Sequence, residues 1–79
     1  MDIRKLQYFI AVAEELHFHR AAEKLNMTQP PLTQQIQALE QELGVQLFER
    51  NKRQVRITPA GSVFLEEAKM ILSQLGAIY

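Results

Sequence analysis

Cysteine and tryptophan are both absent from this chain of 79 residues. Without cysteine, neither a disulfide framework nor a thiolate metal site is available, which suits a reducing cytoplasm. Glycine and proline are scarce, three of each. The glycines stand singly at element ends or first turns, so there is no glycine-rich phosphate loop. No apolar run approaches the ~18 residues that a bilayer span requires. The opening MDIRKLQYF has no apolar h-region and no small-residue cleavage site. A cytoplasmic location and no membrane partner are therefore expected. Net charge is missing too, nine basic residues against nine acidic. Ser62 and Ser73 fall in a helical pattern with no histidine near them in sequence. A chain this small can hardly enclose a ~300 Å³ pocket as well as a core. The expectation is a protein that is not an enzyme, with no catalytic residues, no metal and no cofactor.

What is present is a strong helical pattern. Apolar residues make up 47% of the chain, ordinary for one small domain. Such a domain buries only ~60% of the surface its unfolded form exposes, and a partner chain often adds stability. Ile3, Leu6, Ile10 and Ala13 recur at helical spacing with Phe9 beside them. They predict a first helix from about Ile3 to Leu16, capped by Asp2. Phe18, Ala21, Ala22 and Leu25 predict a second, from about Phe18 to Leu25, whose paired alanines admit a close neighbour. Asn26 suits a left-handed helix end, and Met27 is expected to return to the core.

Thr28 is the expected N-cap of a third helix, with Pro30 and Pro31 tolerated because first-turn N–H groups have no intrahelical partner. Leu32, Ile36, Leu39 and Leu43 form its inward stripe, while Gln34, Gln37, Ala38 and Gln41 point away and Gly44 stops it. Val45 and Leu47, then Val55 and Ile57, alternate with polar residues. That period predicts a two-stranded wing over residues 45–57, with Asn51 at positive φ in its turn. Thr58 and Pro59 open a fourth helix. Its residues Phe64, Ala68, Ile71, Leu75 and Ile78 form a heptad-like seam, with Leu65, Leu72 and Tyr79 in a parallel row. The pattern runs to the last residue without a stop signal. Phe64 and Leu65 are expected against the domain. Ala68, Ile71, Leu72, Leu75 and Ile78 are expected to form a homodimer contact.

A short helix, a tight link and a second helix with an uncharged tip suit the major groove of duplex DNA, ~12 Å wide, which admits one helix. The first two turns of the third helix offer Gln29, Pro30, Pro31, Thr33, Gln34 and Gln37. Glutamine bonds adenine bidentately, and a proline or threonine methylene lies against a thymine methyl. The Thr28 and Thr33 hydroxyls and the positive helix end suit phosphates. Arg50, Lys52, Arg53 and Arg56 fall in a stretch without acids, a local basic patch on a neutral domain. Arg53 is the candidate for a narrow minor groove. Arg50 and Arg56 also suit pairing with Glu49 or the last helix.

Other readings stay open on these residues alone. A glutamine-rich face and zero net charge also fit a helical protein-interaction module. An RNA-binding winged helix lacks exposed aromatics for stacking, since Phe and Tyr fall on core stripes. His17 and His19 sit with Glu14 and Glu15 at a helix junction, in a spacing that fits no helical ligand pair. Arg20 and Lys24 suit phosphates or solvent equally.

The run AAEKLNMTQPPLTQQIQALEQELGVQLFERNKRQVRITPAG resembles the N-terminal DNA-binding domain of LysR-type transcriptional regulators. The resemblance rests on the paired alanines, the hydroxyl-Gln-Pro turn, the Leu39–Glu40 pair, the LGVQLFER block and the Thr-Pro-Ala-Gly start, and extends to the opening LQYFIAVAEE. It implies a mainly α fold, a winged helix–turn–helix over residues 1–58, followed by a linker and dimerisation helix over 59–79. It implies bacterial cytoplasmic regulators that bind interrupted inverted repeats in double-stranded DNA as dimers, and as tetramers when full length. By the family pattern Gln29, Pro30, Pro31, Thr33 and Gln34 face the major groove. Thr28 and Arg50 approach phosphates, and Arg53, beside Lys52, lies at the wing. Many members carry arginine where this chain has Gln34. A C-terminal domain that binds a small-molecule inducer is implied beyond these residues.

Overall fold

The computed structural model describes residues 2–76. Among these residues four helices and one hairpin follow in order: α1 Ile3–Glu15, α2 Phe18–Lys24, α3 Gln29–Leu43, β1 Phe48–Arg50, β2 Val55–Ile57 and α4 Pro59–Gln74. The expected mainly α architecture with a small wing is the one observed.

Asp2 caps α1, its carboxylate accepting from the Lys5 N–H at 2.9 Å. The helix stops one residue early because Leu16 turns left-handed, at φ 50, unusual for a residue with a Cβ. The reversal frees His17 to cap α2: its Nδ1 accepts from the Arg20 N–H at 3.1 Å. Asn26 closes the link after α2 at φ 56, as its side chain allows. Met27 then packs half-buried on the core.

The core is centred on Phe9, which has no solvent exposure. Its ring meets Phe48 at 5.4 Å and Phe64 edge-on at 5.1 Å, while Phe18 meets Phe48 edge-on at 6.1 Å. Such ring pairs add to the area they bury. Leu32, Ile36 and Leu39 pack fully buried from α3, and α1 packs against α2, α3 and α4. Ala21 and Ala22 are buried as expected of a close approach. Ile3, expected on the inward stripe, is instead 45% exposed at the open first turn of α1. Lys5 pairs with Glu42, tying α1 to the end of α3. The side-chain hydrogen bond from Lys5 holds the Glu42 carboxyl below its ordinary range.

Three expectations about the second half need correction. Val45–Leu47 is not strand: Leu47 donates its N–H to Glu40 Oε2 at 2.8 Å and accepts from Thr58 N–H at 3.0 Å, so it has no ladder to join. The strands pair only Phe48 with Ile57, Glu49 with Arg56 and Arg50 with Val55. Asn51 does not take positive φ; its side chain makes the turn, Oδ1 accepting from the N–H groups of Arg53 and Gln54 at 2.8 and 2.9 Å. The described helix α4 ends at Gln74, with Leu75 as C-cap and Gly76 at φ 75. Gly76 is a stop signal that the apolar seam obscured.

Thr58 joins the wing to α4. Its Oγ1 accepts from Gly61 N–H at 2.9 Å, capping the helix, and donates to the Gln46 carbonyl at 2.7 Å. Pro59 takes the first helical position. Gly61 lies so close to Leu47 that a Cβ there would stand 2.3 Å from the Leu47 carbonyl oxygen and 2.7 Å from Ile57 Cγ1. Gly61→Ala gains about 1 kcal/mol of helix propensity, but forcing backbone apart in a packed site costs about 1–3 kcal/mol. The expected outcome is net destabilisation, read as a lowered midpoint in urea unfolding; an unchanged or raised midpoint contradicts the close contact.

Candidate nucleic-acid interface

The start of α3 is shaped by its prolines. Thr28 has extended backbone, φ −85 and ψ 162, where an N-cap belongs, yet its side chain makes no capping bond. The reason is chemical. A cap accepts from the N–H of the second or third helical residue. Here those residues are Pro30 and Pro31, which have none. The expected cap therefore holds in position but not in hydrogen bonding, and the Thr28 hydroxyl is left at the surface. The same loss weakens the helix start as an anion cradle, since two of its free N–H groups are gone.

Gln29, Pro30, Pro31 and Gln34 are exposed, with Gln37 and Gln41 continuing the amide face; Thr33 is half-buried. None of these side chains carries charge. Directly behind them Leu32, Ile36 and Leu39 are fully buried, so the tip is held rigidly.

The wing stands beside this tip. An open cleft of about 430 Å³ is lined by Leu16, His17, Phe18 and His19 at the start of α2, by Gln29 at the start of α3 and by wing residues that include Arg50, Lys52 and Arg53. Thus the fold brings Gln29 together with the three basic wing residues, while Pro30, Pro31, Thr33 and Gln34 do not line the cleft. Lys52 and Arg53 are exposed at the wing tip. The other two arginines are occupied differently from expectation. Arg50 Nη2 donates to Glu40 Oε1 at 3.2 Å, and its guanidinium lies 4.7 Å from the centre of the Phe18 ring. Its partner is thus neither Glu49 nor α4. Arg56 sits opposite Glu49 in the hairpin, but its Nε and Nη2 lie 2.8 Å from the Gln54 side-chain oxygen when that amide faces the guanidinium.

Two residues at this interface were missed in the sequence. His17 read as a junction side chain, although a polar residue three before Arg20 at a helix start is a cap signal. Glu40 read only as part of a pattern. Its single carboxylate in fact receives Leu47 N–H, Phe48 N–H at 3.2 Å and Arg50.

On α4 the expected dimer residues divide. Ala68 and Leu72 are fully buried in the domain's own core, a correction to the expected dimer face. Four residues apart, they share one face of α4, the helix that packs against α1. Ile71 at 38% and Leu75 at 60% remain exposed, as do Val63 and Met70. Ile78 lies outside the described residues. Among the described residues no helix is long and apolar enough to cross a membrane.

A helix–turn–helix whose second helix offers an uncharged polar tip, with a basic two-stranded wing at its side, defines the winged helix–turn–helix class. Residues 3–62 match the bacterial regulatory helix-turn-helix proteins of the lysR family, and the chain belongs to that family. It is 62% identical over 76 residues to the HTH-type transcriptional regulator AlsR of Bacillus subtilis (strain 168), covering 96% of this chain and 25% of that protein. It spans about a quarter of the length of the curated relatives it matches. A crystal structure of a CbnR_DBD–DNA complex superposes with a TM-score of 0.93 at 51% identity, over 96% of this chain and 87% of that one. A BenM_DBD/catB site 1 DNA complex gives 0.91, also at 51% identity, over 96% and 85%.

Proposed function

We propose that this chain is the sequence-specific DNA-binding portion of a bacterial transcription regulator, acting in the cytoplasm on double-stranded DNA. The observation that carries it is Gln29, at the uncharged start of α3, lining one cleft with the basic wing residues Arg50, Lys52 and Arg53. Two structures similar to it, at 51% identity, hold DNA. In this reading α3 enters the major groove. Gln29, Pro30, Pro31, Thr33 and Gln34 meet base edges, each good bidentate pair worth ~1–3 kcal/mol of discrimination. Thr28, with its hydroxyl unspent on capping, and Arg50 and Lys52 meet phosphates. Arg53 enters the adjacent minor groove.

Residues 59–79 complete the domain and also pair two copies. Ile71 and Leu75, exposed on α4, carry the contact within the described residues. A two-fold dimer then reads two half-sites, an interrupted inverted repeat on one DNA face. In the whole protein, tetramers form, and a further domain takes a small-molecule inducer.

Selection of the chain on random duplex DNA tests the proposal. Two gapped, inverted half-sites are the expected outcome. An ungapped single site refutes the dimer, and equal retention of every duplex favours the protein-interaction module instead. Arg53→Ala is expected to weaken binding and lower the salt slope of log K by about one ion, measured by titration across salt concentrations; an unchanged slope removes Arg53 from the interface. Gln34→Arg supplies the guanine-reading fork that glutamine lacks. Preference at one position is expected to move toward guanine in a binding series over all four bases, and no change there takes Gln34 off the base edges.

A further inference from the structure

We infer that Glu40 is a positioning residue for DNA binding: without touching DNA, it sets the wing and Arg50 relative to the recognition helix. The inference rests on the proposed DNA-binding function. Glu40 lies on α3, the same helix that carries the base-reading tip, ten residues before Arg50 at the end of β1. Its side chain is 14% exposed. Oε2 accepts from Leu47 and Phe48 N–H at 2.8 and 3.2 Å, the two backbone groups where the chain enters the wing. Oε1 accepts from Arg50 Nη2 at 3.2 Å. Arg50 in turn lies over Phe18, the first residue of α2. One carboxylate thus couples all three parts of the interface: α3 directly, the wing root through two N–H groups, and α2 through Arg50.

The arrangement also explains how a half-exposed arginine is kept ready. A guanidinium has five N–H donors, and the bond to Glu40 uses one of them. The head is held at one end by the carboxylate and on one face by the Phe18 ring, and Arg50 lines the cleft shared with Gln29, Lys52 and Arg53. A long side chain fixed before binding loses less freedom on meeting a phosphate. The wing tip has its own turn, built by Asn51, but its aim depends on its root, which Glu40 holds from the α3 side while Thr58 holds it from the α4 side.

Glu40→Gln isolates the role. The amide oxygen still accepts the wing-root N–H groups, while the amide nitrogen faces Arg50 as donor against donor. Glu40→Gln is expected to stay folded in thermal unfolding and to bind the selected duplex about tenfold more weakly, within the coupling range of contacting residues. Footprinting is expected to lose protection at the phosphate that Arg50 meets, with base preference at the α3 contacts and the wing's minor-groove contact unchanged. Because Glu40 acts through Arg50, the double variant Glu40→Gln/Arg50→Ala is expected to bind no more weakly than Arg50→Ala alone. Wild-type affinity in Glu40→Gln, or effects of the two substitutions that multiply, overturns the inference. Hydrogen exchange at the Leu47 and Phe48 amides in Glu40→Ala gives a readout without DNA. Faster exchange there than elsewhere in the hairpin is expected, and unchanged exchange overturns the role at the wing root. A wild-type chain that retains no duplex overturns the proposed function instead, and the exchange experiment still reads Glu40.

Discussion

Leu47 is where the domain is tied together. Its side chain is fully buried. Its N–H reaches Glu40 on α3, and its carbonyl accepts from Thr58, the cap of α4. Gly61 presses against that same carbonyl with no room for a Cβ. A buried backbone must have both its polar groups paired, and this residue pairs them with two different helices. The relative position of recognition helix, wing and last helix is consequently a single constraint. The LGVQLFER block and the Thr-Pro-Ala-Gly start are the two sides of it: one supplies the buried Leu47 and the other the hydroxyl, the proline and the missing side chain that fit around it.

From that constraint the interface follows. With α3 anchored through Leu32, Ile36 and Leu39, the exposed face of its first three turns offers glutamines and the two prolines. The two prolines give the helix a rigid start and remove the N–H groups that would have absorbed the Thr28 hydroxyl. The basic residues of the wing divide into two kinds. Arg50 and Arg56 are engaged by Glu40 and Gln54, and Lys52 and Arg53 stand free at the tip. A neutral chain can therefore still present a local positive finger, since nearby charges govern the potential at a contact more than the distant total does.

Much of this was legible in the residues. Helical spacing gave all four helices to within a residue or two at most ends, because each has one face that must be buried. Asp2, Asn26, Gly44, Thr58 and Pro59 marked boundaries through local chemistry that acts at the same few residues it is read from. The errors arose where a partner far along the chain decided the matter. Val45–Leu47 alternates like a strand but bonds to Glu40 and Thr58. Ala68 and Leu72 look like part of an outward seam but are buried in the core. Thr28 is the local exception: it stands where a cap belongs, and Pro30 and Pro31, two and three residues on, deny it the donors. Of the candidate site, the exposed tip and the basic wing were legible as residue types, while Glu40 and His17 were not, since a carboxylate or imidazole names no partner by itself.

By itself, then, the amino-acid order determined the helices, their caps, the hairpin and the chemistry of the tip, because propensity, periodicity and capping depend on neighbours within a turn or two. Tertiary structure decided which apolar residues of α4 are core and which are surface, which arginines are tethered and which are free, and how the wing stands against α3. Those outcomes depend on groups that meet only after the chain has folded, at distances where a hydrogen bond or a missing Cβ selects one packing over another.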